Sequence, residues 1–239
     1  MADQGQKTKG VVDIVFLLDA TGSMATCIDA LKKNIEVFID NLVATDPNSS
    51  SIVKDWRARV VGYRDFEADS TPYVDNAFVR DTAALKGQLT TLKADGGGDE
   101  PESLLDSLFK ISTMGNTAKG ATEDAQKWRY RSEAARVVIV FTDASYKTKM
   151  AIPEAAGGGF EDVKNKIQEN RIILSIFAPD MPCYDDLSQL DKAEYQPIGS
   201  AGSNPQQALA DFTANQANFK ATLEALAKSV SKSADTAVL

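Results

Sequence analysis

Asp19-Ala20-Thr21-Gly22-Ser23 places three oxygen-bearing side chains at alternate positions, directly after the apolar run from Val11 to Leu18. Where a buried strand meets a helix, that spacing makes a nest for a hard divalent cation, whose ligands are carboxylate, hydroxyl and carbonyl oxygens. The same residue types also cap helices, because Asp, Thr and Ser accept hydrogen bonds from the free N–H groups at a helix start. Which role applies depends on what else reaches the loop.

Composition narrows the chemistry. Histidine is absent from the chain. Imidazole bases, Ser-His and Cys-His nucleophile pairs and His-ligated zinc or iron are thereby excluded. The two cysteines, Cys27 and Cys183, are too few and too far apart for a disulfide framework or a thiolate cluster. A reducing, cytoplasmic setting is expected. The formal net charge is −8, with Lys and Arg scattered rather than striped. Neither nucleic acid nor an anionic membrane is expected as partner; a cation or a basic protein surface fits better. Met1 to Gly10 is polar, expected to be disordered, and the eight-residue apolar run after it contains Asp13. It reads as neither a signal peptide nor a membrane span.

The elements that must position the loop read as alternating strands and helices. At 239 residues and 43% hydrophobic content, the chain suffices for one α/β domain. Val11 to Leu18, Arg136 to Phe141 and Ile172 to Phe177 are nearly unbroken apolar runs, as strands buried on both faces require. Arg57 to Tyr63 and Tyr73 to Val79 are joined by a link too short for a helical crossover, which predicts an antiparallel edge pair. Helical periodicity predicts helices over 24–43, 82–92, 101–114, 160–170, 185–192 and 205–230. The last has Leu209, Phe212, Phe219, Leu223, Leu226 and Val230 on one stripe, with a frayed tail expected over 231–239. The fold class is a three-layer α/β/α doubly wound, mostly parallel sheet with one antiparallel edge strand. Two stretches stand out as possible recognition loops: 115–133, with the patch Lys127-Trp128-Arg129-Tyr130-Arg131, and 144–159, ending in Gly157-Gly158-Gly159. The patch reads otherwise as a solvated helix end.

The strand ending in Asp-x-Thr-Gly-Ser, the stretch Val60 to Asp65, the loop Gly96 to Glu102 and the strand end Val140-Phe141-Thr142-Asp143 together resemble a von Willebrand factor A (VWA) domain over 11–230. The resemblance implies a metal-ion-dependent adhesion site (MIDAS) holding magnesium or manganese, with calcium less suited. Carried over by position, Asp19, Thr21 and Ser23 match the first loop, and Asp143 matches the later aspartate. Asp99 stands where the family has a threonine. The Gly-Gly-Gly-Asp-x-Pro-Glu form looks most like the bacterial and protist branch associated with protein kinases.

The resemblance implies a non-enzymatic module, monomeric alone, that holds another protein through its cation in signalling or stress response. The partner would offer an Asp or Glu to the metal, a protein kinase or phosphatase encoded nearby being the expected type. Asp65 is expected to cap a hairpin, with contact at the metal rim as the alternative, and Cys27 to pack on the inner helix face. An alternative is carried by Asp19-x-Thr21-Gly22, which is similar to the loop of haloacid-dehalogenase-like phosphotransferases, with Asp19 as nucleophile. Against it, Gly98-Asp99 follows no apolar strand and no lysine stands at a clear strand end.

Overall fold

The computed structural model describes residues 10–44, 53–97, 100–199 and 203–235. Six strands form one sheet: β1 (Val11–Asp19), β2 (Asp55–Tyr63), β3 (Tyr73–Asp75), β4 (Ala135–Phe141), β5 (Ile172–Pro179) and β6 (Ala193–Ile198), in the order β3-β2-β1-β4-β5-β6. All neighbouring pairs are parallel except β2 with β3, where Tyr63 faces Tyr73. This is the doubly wound architecture with an antiparallel edge that the sequence pattern predicts.

Alternation along β1 sends side chains into two separate cores. Ile14, Phe16 and Leu18 pack under α1 (Ala25–Val43), α2 (Thr82–Thr91), α6 (Pro205–Ala214) and α7 (Gln216–Asp235). Val15 and Leu17 pack under α3 (Leu104–Thr113), α4 (Phe160–Glu169) and α5 (Cys183–Ser188). Burial on both faces explains why β1, β4 and β5 read as continuous apolar runs. Cys27 is wholly buried in the first core, on the inner face of α1.

Several expectations require correction. The single helix foreseen over 205–230 is two, broken at Asn215, whose backbone N–H bonds Asp211 O at 3.1 Å. Residues 231–235 are helical rather than frayed, with Ala234 buried and its carbonyl accepting from Gly10 N. Gly10 also accepts from Lys54 N and Asp55 N, so the disordered lead segment does not include it; residues 1–9 lie outside the described residues. The strand β6 was not foreseen, and the helix placed over 185–192 runs instead from Cys183 to Ser188.

The two stretches expected as recognition loops each anchor a few side chains in the second core while most of their residues stay exposed or half-buried. Trp128 is fully buried and donates its indole N–H to Ile111 O at 3.0 Å, while Tyr146, Met150 and Ile152 are buried from the other loop. Arg129 is also buried, whereas Lys127 and Arg131 of the same patch are exposed and Tyr130 is half-buried. The Arg129 guanidinium meets Asp13, which sits on the same face of the sheet in register with Arg57 on one side and Arg136 on the other. Asp13 takes Arg57 Nε and Nη2 at 2.8 Å each, and Arg129 Nε and backbone N at 2.7 Å each. A buried carboxylate needs this saturation, because desolvation of an unpaired charge costs several kcal/mol, of order 3–5 when one partner of a buried pair is lost.

Candidate metal centre

The sheet reverses its direction of winding between β1 and β4, the point where open α/β sheets bind ligands beyond the carboxyl ends of their strands. Parallel pairing through Leu18 and Phe141 brings Asp19 beside Thr142 and Asp143. Asp19 is wholly buried, and Asp143 is 2% exposed.

Hydroxyls link the two carboxylates. Thr142 Oγ1 donates to Asp19 Oδ2 at 2.8 Å, and Asp19 Oδ1 accepts both Thr21 N at 3.0 Å and Thr21 Oγ1 at 2.7 Å. Ser23 Oγ donates to Asp143 Oδ1 at 3.1 Å. Each hydroxyl carries one proton and two lone pairs. Thr21 and Ser23 each have a carboxylate within reach of their proton, and their two oxygens stand 3.3 Å apart, where either can also donate to the other. Asp143 Oδ2 is buried without a hydrogen-bond partner among the described residues. Two hydroxyl oxygens thus lie beside a carboxylate oxygen that has no hydrogen-bond partner among the described residues.

The titration behaviour has the same origin. Burial, with a smaller contribution from Asp143, raises the Asp19 carboxyl to about 6 against the hydrogen bonds from Thr21 and Thr142. Burial likewise raises Asp143, and the Glu100 carboxylate adds to the effect. The helix-capping role assigned to such residues is not used here: no side chain caps the short turn Gly22–Met24 or α1.

The glycine loop closes over this nest. Gly22 N bonds Gly96 O at 3.3 Å and Asp95 N bonds Ala20 O at 3.0 Å. Gly97 has φ +72°, and a Cβ there would lie 2.6 Å from Thr21 Cβ, so only glycine lets the two loops touch. Asp99, expected as a further ligand, lies outside the described residues. Three groups were missed by reasoning from spacing. Glu102 is buried, with Oε1 3.2 Å from the Cβ position of Gly97. Glu100 accepts Ser145 N at 2.9 Å and Ser145 Oγ at 3.1 Å. Arg64 clamps both loops, donating to Ala20 O at 2.9 Å and Lys93 O at 2.8 Å. The only signal for them was their place inside the Tyr-Arg-Asp and Gly-rich motifs.

Asp65 does not simply cap a hairpin. It accepts Glu67 N and is held by Lys147 Nζ at 2.8 and 2.7 Å, at the rim of the same face.

Among the described residues no group of three or more His, Cys, Asp or Glu is arranged to hold a metal ion. The donors present are two carboxylates and two hydroxyls, an all-oxygen set suited to magnesium, manganese or calcium rather than zinc or copper. The orphaned Asp143 oxygen and the adjacent hydroxyl pair fit such an ion.

No family model matches the chain. A stretch of 133 residues, 56% of the chain, is 29% identical to part of alpha-protein kinase vwkA from Dictyostelium discoideum and spans 18% of that protein. A stretch of 95 residues is 28% identical to part of the ariadne-like RING finger protein R811 of Acanthamoeba polyphaga mimivirus, spanning 9% of it. The chain thus matches less than a fifth of either curated relative. Among solved structures, the pilus adhesin SpaC from Lactobacillus rhamnosus GG aligns with 90% of the chain and 31% of its own length, at 12% identity and a TM-score of 0.48. No helix among the described residues is long and apolar enough to cross a membrane.

Proposed function

We propose that this chain is a MIDAS-type binding module of VWA character that holds magnesium or manganese between Asp19, Thr21, Ser23 and Asp143 and uses the ion to grip another protein. The observation that carries the proposal is the pair of lone-pair-bearing hydroxyls 3.3 Å apart beside the unpartnered Asp143 Oδ2. Thr21 and Ser23 would offer neutral oxygens, while Asp19 and Asp143 orient them and hold coordinated water. A cation with few anionic ligands stays electrophilic, and so accepts a carboxylate from a partner as a further ligand.

The surroundings refine the partner. Glu67, Asp95 and Glu100 are exposed on the loops around this face. A partner presenting one Asp or Glu within a basic surface satisfies both the metal and its acidic rim. Association with a protein kinase or phosphatase, one encoded nearby, belongs to this proposal and has support from the partial likeness to a protein named as a kinase. So do a signalling or stress-response role, a monomeric state alone and a cytoplasmic setting. The phosphotransferase alternative has less support, because Asp19 is wholly buried.

Calorimetric titration of magnesium and of manganese into the wild type and Ser23→Ala tests the site. One bound ion per chain is expected, weakened at least about ten-fold by the variant; equal heats from both proteins would sink the proposal. Asp19-dependent turnover of acetyl phosphate would instead establish the enzymatic alternative.

A further inference from the structure

The parallel strands β4, β5 and β6 begin at the end of the sheet remote from the metal centre, and there the structure contains a cavity of about 330 Å³ beside the last turns of α7. That volume is at the lower end of the range for small-molecule sites. Arg131, Arg136, Arg171, Lys192 and Lys232 line it against one carboxylate, Glu194. In a chain of net charge −8, five cations around one cavity oppose the overall charge and create a local positive potential.

Two of these cations occupy unusual backbone. Arg171 has φ +54° and Lys192 φ +62°, the two non-glycine residues in the left-handed region among the described residues. Arg171 directly follows the C-cap of α4, Asn170, and Lys192 sits in the turn entering β6, both positions where glycine is unstrained. Local folding would favour glycine at each, yet each carries an exposed cation that forms no ion pair among the described residues. Arg136, by contrast, is 1% exposed and its Nε has no hydrogen-bond partner among the described residues. The remaining lining is largely apolar, with Val137 and Val230 buried and Ile173 half-buried, joined by the hydroxyls of Ser175 and Ser229.

We propose that this cavity binds a small phosphorylated organic molecule, of about the size of a nucleoside monophosphate, without any metal. Arg171 and Lys192 take the phosphate, which guanidinium and ammonium groups bind through charge-assisted hydrogen bonds. The organic body rests against Val137, Ile173 and Val230.

Calorimetry in EDTA, which silences the metal face, with AMP, glucose 6-phosphate, adenosine and inorganic phosphate tests this. At least one of the two phosphorylated organic molecules is expected to bind one site at least about ten-fold more tightly than inorganic phosphate, with adenosine failing to bind. The double variant Arg171→Gly, Lys192→Gly keeps the left-handed backbone and should melt no lower than wild type, while losing at least about ten-fold in affinity. The proposal is overturned if inorganic phosphate binds as tightly as both organic phosphates, if adenosine binds equally, if nothing binds through millimolar concentration, or if the double variant binds like wild type.

Discussion

Asp19→Asn separates a metal ligand from a structural residue, because the two roles predict opposite signs for stability. In the metal-free protein the ionised carboxylate is a liability: a carboxyl raised from 3.8 to about 6 is disfavoured in its charged form by about 3 kcal/mol. Asparagine removes that charge and fits the same hydrogen bonds. Its oxygen can keep both Thr21 donors, and its amide can donate to Thr142 Oγ1, which has lone pairs to accept it. Allowing about 1 kcal/mol for the altered bond, the variant should be about 2 kcal/mol more stable than wild type in EDTA at pH 8. For a chain of this size that is a rise in melting temperature of about 4–8 °C.

The pH dependence follows from the same shift. A carboxyl raised in the folded state binds its proton more readily folded than unfolded, so its contribution is fully present below 3.8 and disappears as pH climbs through about 6. The variant should therefore be about 1 kcal/mol less stable than wild type below pH 4, where only the altered bond counts, and overtake it between pH 4 and pH 7. Magnesium reverses the order: at one hundred times the dissociation constant it stabilises wild type by about 2.7 kcal/mol and leaves the variant unmoved. Scanning calorimetry of both proteins from pH 4 to 8, with EDTA or magnesium, reads all of this. A variant less stable than wild type in EDTA at pH 8, or one that responds to magnesium equally, refutes the reasoning.

Gly97→Ala should weaken magnesium binding at least about ten-fold by pushing the glycine loop off Thr21, where the added Cβ would lie 2.6 Å from the threonine Cβ, yet leave the far-ultraviolet circular dichroism unchanged. Unchanged calorimetric affinity would show that the loop contact is dispensable. Asp13→Ala leaves Arg57 and Arg129 buried without their shared carboxylate and should cost about 3–5 kcal/mol in urea unfolding; a loss under about 1 kcal/mol would mean that the arginines find other partners. Trp128→Ala should cost about 3–5 kcal/mol by emptying a wholly buried indole site, whereas a recognition-loop tryptophan would alter partner binding and leave unfolding untouched.

What could be read from the chain alone follows from local physics. β1, β4 and β5 are legible because strands buried on both faces must be apolar at nearly every position. The edge strand β6 is not, because Ala-Glu-Tyr-Gln-Pro-Ile is partly exposed and contains Pro197, which an edge tolerates but a pattern search rejects. The break at Asn215 is hidden in the same way, since the stripe from Leu209 to Val230 continues through it into one core.

The sequence by itself determined the layered α/β class and the loop Asp19-Ala20-Thr21-Gly22-Ser23 at a strand end, since periodicity and alternate spacing act over a few residues. Tertiary structure decided which atoms meet around that loop, beyond the Asp143 that the family resemblance already implies. Ser23 meets Asp143 across 120 positions, and Asp13 meets Arg129 across 116. Spacing along the chain carries no record of such pairs, because strand order in the sheet brings them together. Burial then raises Asp19 and Asp143 and makes the Asp13 network obligatory, and burial is a property of the packed layers rather than of any one segment.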